Sequence, residues 1–130
     1  MAVDQEGVMG QTNKSEERRK FPRSFMDLPI EYRITDLPRA HGGVVINGSE
    51  TGLLVHSVKD MPIGTNLNIS VLFPERFQLT NFDVVAEIVR KDVCWEENWH
   101  GFEYGLRFVW IKPEDAGRLK QLLKNRFRSK

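Results

Sequence analysis

Val44-Val45-Ile46-Asn47-Gly48-Ser49-Glu50-Thr51-Gly52-Leu53-Leu54-Val55 is the stretch on which the reading of this chain turns. Two short apolar runs, residues 44–46 and 53–55, flank a polar turn that contains Gly48 and Gly52. Aliphatic and β-branched residues suit strands, and Asn-Gly between such runs is a hairpin signal. Asn and Ser side chains bond readily to nearby backbone in turns, and glycine admits positive φ and the close approach of another group. Taken alone, the segment reads as an ordinary strand–turn–strand unit.

The same alternation extends in both directions. Upstream, Leu28, Ile30, Tyr32 and Ile34 face one way, with Pro29 marking an edge or bulge at the start of that strand. Residues 36–43 (DLPRAHGG) and 59–66 (KDMPIGTN) read as loops. Downstream, Leu67, Ile69, Val71 and Phe73 form a fourth strand; Phe82, Val84, Ala86 and Ile88 form a fifth. Val85 and Val89 make the fifth strand's other face partly apolar. Residues 92–101 (DVCWEENWHG) read as a long hairpin loop, and Tyr104, Leu106, Phe108 and Trp110 as a sixth strand. The period then changes. Pro113 suits a first helical position, Glu114 and Asp115 suit the positive end of a helix dipole, and Ala116, Leu119, Leu122, Leu123 and Phe127 make an apolar stripe.

Six short strands with no intervening helix predict an antiparallel barrel or sandwich, closed by one C-terminal amphipathic α-helix. Residues 1–17 are polar and aperiodic and read as a disordered tail, leaving residues 18–130 as one domain.

Leu, Ile, Val and Phe make up 38 of the 130 residues, which excludes wholesale disorder. The lone cysteine, Cys94, excludes an internal disulfide framework and a multi-cysteine zinc site. No apolar run reaches the ~18 residues of a membrane span. No leader pattern opens the sequence, so a cytoplasmic location and no membrane insertion are expected. Net charge is +1 overall but uneven: −3 over residues 1–17, +4 over 18–23, −5 over 24–111 and +5 over 112–130. An acidic body argues against a nucleic-acid polymer as partner.

Catalysis has little support. His41, His56 and His100 lack metal-ligand spacing, and Cys94 with His100 has no orienting third group. Glu96, Glu97 and Glu103 look like ordinary surface carboxylates, and no glycine-rich phosphate loop exists. The expectation is no enzyme and no cofactor. The basic segment Arg18-Arg19-Lys20-Phe21-Pro22-Arg23 is more informative. Pro22 prevents a regular helix and biases Phe21 toward an extended backbone. Guanidinium groups chelate phosphates bidentately and stack on purine faces.

Arg19-Lys20-Phe21-Pro22-Arg23 before the first strand and Asn47-Gly48-Ser49-Glu50-Thr51-Gly52 between two later ones match R-x-x-x-R and [D/N]-x-S-x-x-G. In these motifs, their order and the terminal helix, residues 18–128 resemble a PilZ domain. The resemblance implies a six-stranded β-barrel that binds the bacterial second messenger cyclic di-GMP. It implies that Arg19 and Arg23 hold phosphates and guanines, with Arg18 auxiliary, and that Asn47, Ser49 and Gly52 meet the ligand from the barrel surface. It further implies signalling to an unidentified effector protein as residues 18–23 become ordered.

Two alternatives stay open at this point. One is an adaptor of the same fold that needs no ligand and docks through Trp95 and Trp99 or the basic helix face (Arg118, Lys120, Lys124, Arg126, Arg128). The other is an oligonucleotide-binding barrel, which the acidic body disfavours.

Overall fold

The computed structural model describes residues 24–126. Six strands and one helix follow in order: β1 (Ser24–Ile34), β2 (Ala40–Gly48), β3 (Gly52–Ser57), β4 (Asn66–Glu75), β5 (Gln78–Glu96), β6 (Trp99–Trp110) and α1 (Pro113–Arg126). The strands form one closed sheet in the order β1-β2-β3-β6-β5-β4, with β1 pairing β4 to complete the circuit. All six neighbour pairs are antiparallel. Closure pairs each strand on both sides within the circuit, which limits the aggregation hazard of an open β sheet.

The alternating positions fill the interior. Leu28, Ile30, Tyr32, Val45, Leu53, Val55, Leu67, Ile69, Val71, Phe73, Phe82, Val84, Ala86, Ile88, Tyr104 and Leu106 are all buried, as their period of two requires. Leu119 and Leu122 of α1 join the same core, and Leu123 packs at its margin. Phe127, the last residue of the expected stripe, lies outside the described residues, as do the expected tail 1–17 and the basic segment. Pro29 pairs with Val44 on β2 and sits one residue before the β1–β4 ladder begins at Ile30, at the margin of that ladder. The irregularity expected there occurs just upstream, between Phe25 and Leu28, with Asp27 at φ 56°.

Three expectations need correction. Residues 36–43 are not all loop: β2 begins at Ala40, because His41 and Gly42 pair with Tyr32 and Glu31 on β1. Residues 92–101 are not a long loop: β5 and β6 run on as a two-stranded ribbon to a turn at Glu97 and Asn98. Cross-strand neighbours hold it, Val93 with Phe102 and Trp95 with His100, whose rings lie 4.2 Å apart. Trp110 does not face the core. A register shift between Val85 and Ala86 places Trp110 opposite outward-facing Val85, and it is 59% exposed.

The β3–β4 loop is pinned from inside. The Tyr104 hydroxyl donates to the Lys59 carbonyl (2.5 Å) and accepts from the Met61 amide (2.8 Å). Tyr32 and Ser57 share a buried hydroxyl contact of 2.6 Å. Burial raises the pKa of both tyrosines above 10.0. The unfolded chain therefore loses these protons first as pH rises. Their contribution is whole below pH ~10 and declines above it, as the folded state is held to the protonated form. Tyr104→Phe removes both hydrogen bonds and leaves the buried Met61 N–H and the part-buried Lys59 C=O without that partner. It is expected to cost about 1–3 kcal/mol at neutral pH and to soften the alkaline decline, both read by urea denaturation.

Candidate functional site

The turn between β2 and β3 is tightly built. The Ser49 amide donates to the Gly52 carbonyl (3.0 Å), and the Ser49 hydroxyl accepts from the Thr51 amide (3.2 Å) and lies 3.2 Å from the Thr51 hydroxyl. Such side-chain-to-backbone bonding is what makes Ser a turn residue. The Thr51 carbonyl accepts from the Phe108 amide (2.9 Å), which ties the turn to β6. Ser49 is only 2% exposed, so its hydroxyl serves the turn from within.

Gly52 opens β3 opposite Arg107. A Cβ there would stand 2.1 Å from the Leu106 carbonyl oxygen, so only glycine fits. Asn47 is half-buried on the outer face of β2 and pairs with Phe25 on one side and Leu54 on the other. Of the residues singled out from sequence, the fold thus brings Asn47, Ser49 and Gly52 together at one rim of the sheet. Arg18, Arg19 and Arg23 lie outside the described residues. Ser24, the residue directly after Arg23, pairs with Gly48, so the chain joins β1 beside this turn.

The outer face around the rim carries charge that the linear motifs did not reveal. Arg107 pairs with Glu87 in the row that starts at Gly52. Arg90 approaches Asp92 at 3.6 Å, and His56 contacts Glu103 at 3.0 Å while stacking on Trp99. No sequence spacing links these residues to the turn; strand pairing alone does so. Among the described residues, no group of three His, Cys, Asp or Glu side chains is placed to hold a metal ion. A cleft of about 660 Å³ lies between the β4–β5 turn and α1, lined by Phe73, Arg76, Glu114, Arg118 and Leu122 among others, and it shares no residue with the rim. No described helix is long and apolar enough to cross a membrane.

A small closed β domain, capped by one helix and carrying a polar turn at its rim, is the class of protein these features define. The chain belongs to the PilZ domain family, whose model matches residues 17–125. Solved structures agree on the fold. The Bacillus subtilis inhibitor of motility MotI/DgrA superposes with a TM-score of 0.68 at 18% identity over 84% of this chain, which spans 50% of that one. The PilZ domain of Escherichia coli YcgR, solved with c-di-GMP, gives 0.62 at 15% identity over 82% of this chain and 88% of that one. Borreliella burgdorferi PlzA in complex with c-di-GMP gives 0.57 at 13% identity over 94% and 60%. No curated protein shows significant sequence similarity to the chain.

Proposed function

We propose that the chain is a cyclic di-GMP receptor built on a barrel of PilZ type. The observation that supports this reading is the Ser24–Gly48 pairing, which starts β1 beside the turn holding Asn47, Ser49 and Gly52. Arg19 and Arg23 would hold the phosphates and guanines, with Arg18 auxiliary. Asn47 and the Ser49–Gly52 turn would meet the ligand from the rim. Two structural neighbours, the YcgR PilZ domain and PlzA, were solved with c-di-GMP, which supports the choice of ligand.

Binding would order residues 18–23 against the rim, a charge-driven change that an effector protein could read. The proposed setting is the cytoplasm, with no catalytic role. A ligand-independent adaptor remains the second reading, favoured by the projecting β5–β6 ribbon, where Trp95 is 71% and Val93 63% exposed.

Calorimetric titration of the full chain with cyclic di-GMP, beside GMP as control, tests the first reading. Saturable binding of the dinucleotide is expected. Absence of heat and of competition at millimolar ligand rejects the receptor reading and leaves the adaptor.

A further inference from the structure

The outer-face row that contains Asn47 continues, one residue per strand, across the sheet. Asn47 pairs with Leu54, Leu54 with Gly105, and Gly105 with Arg90. Their chain neighbours Leu53, Val55, Tyr104 and Leu106 are buried, so the row itself looks outward. Three strand spacings separate Asn47 from Arg90, about 14 Å along the sheet. Between them lies a flat floor: half-buried Leu54 and the bare backbone of Gly105.

Gly105 decides how Arg90 lies. A Cβ at Gly105 would stand 3.2 Å from the Arg90 Cβ, 3.7 Å from its Nε and 3.8 Å from its Cζ. The guanidinium therefore passes over Gly105, with one side facing solvent. Its side chain is 58% exposed, and among the described residues its ionic partner is Asp92, 3.6 Å from Nε, beyond hydrogen-bond distance. Arg107, by contrast, is already engaged by Glu87. Arg90 is thus a positioned planar cation with no hydrogen-bonded partner among the described residues.

We propose that Arg90 reads a guanine base of the ligand, donating from its fork over Gly105 to O6 and N7 of a purine laid over Leu54. The proposal rests on the cyclic di-GMP reading and deepens it. Arginine is the side chain that matches this guanine edge, because the exocyclic O6 and the ring N7 both fall within one bidentate span. Adenine offers an amino donor where guanine offers O6, so the same fork repels it. Arg90 would therefore set selectivity for guanine over adenine dinucleotides, a role separate from phosphate holding.

The test is calorimetric titration of wild type, Arg90→Ala and Arg90→Lys with cyclic di-GMP and cyclic di-AMP, at low and high salt. Arg90→Ala is expected to bind cyclic di-GMP about tenfold more weakly or worse, and its preference over cyclic di-AMP is expected to shrink. Arg90→Lys should fall almost as far, because lysine keeps the charge but loses the planar fork. Unchanged melting temperatures serve as the folding control. Wild-type affinity in Arg90→Ala overturns the proposal while leaving the receptor reading intact. Full rescue by lysine overturns the base-reading role. No binding by wild type overturns the receptor reading and this proposal together.

Discussion

Arg19→Ala and Arg23→Ala are each expected to weaken cyclic di-GMP binding by about 30-fold or more, and the double variant to abolish it. Truncating one partner of a hydrogen-bonded charge pair in a binding site costs about 2–5 kcal/mol, and 2 kcal/mol is already about 30-fold. Most of that cost falls on the phosphate left without its partner. The basic segment 18–23 carries net +4 while residues 24–111 carry −5, so the proposed phosphate contacts concentrate in that segment. Lysine at either position should recover only part of the loss, since it cannot form two parallel bonds to one phosphate. Titration at fixed ionic strength measures both effects, with thermal melts as a control. Wild-type affinity in both single variants would refute the assigned roles even if the chain binds the dinucleotide.

Gly52→Ala is expected to destabilise the domain by about 3 kcal/mol, at the upper end of what overpacking usually costs. The obstacle is the backbone of β6: the added Cβ would meet the Leu106 carbonyl oxygen at 2.1 Å, its carbon at 3.3 Å and the Arg107 Cα at 3.5 Å. Retreat is blocked as well. The Gly52 carbonyl holds the Ser49 amide and the Thr51 carbonyl holds the Phe108 amide, so moving β3 away from β6 breaks the turn. Gly48→Ala should cost less. Its closest neighbours are the Leu53 Cδ2 at 2.7 Å and the Met26 Cε at 3.0 Å, ends of flexible side chains that can shift. Urea denaturation of both variants measures the difference, and Gly52→Ala should lower the melting temperature by roughly 10 °C. A Gly52→Ala protein as stable as Gly48→Ala contradicts the clash. Lost ligand binding in Gly52→Ala is then to be read through the collapsed turn, since Gly52 has a steric reason to be glycine before any ligand arrives.

The core was legible because burial follows a period of two that each strand carries by itself. Ile30, Tyr32, Leu67, Ile69, Phe82 and Val84 are buried as their alternation demands. What escaped notice did so for identifiable reasons. The ribbon of residues 92–101 carries Asp92, Glu96, Glu97, Asn98 and Gly101, which signal a loop, yet Trp95 and His100 pack across it and extend the pairing. Trp110 follows the inward alternation of Tyr104 and Leu106, but the extra residue at the β5–β6 bulge turns it outward. At the rim, Asn47, Ser49 and Gly52 were visible as a motif because they are close in sequence. Leu54, Gly105 and Arg90 were not, because strand pairing alone joins them to Asn47.

The division between the two sources is physical. Side-chain alternation, turn chemistry and helix capping are local, and this sequence by itself determined six strands, a closing helix and a polar turn downstream of a basic segment. Which strands become neighbours depends on burying every apolar face at once. Only the tertiary structure decided that β1 closes onto β4 and that β3 lies against β6. That choice carries Arg90, 43 positions downstream of Asn47, into the row that Asn47 begins.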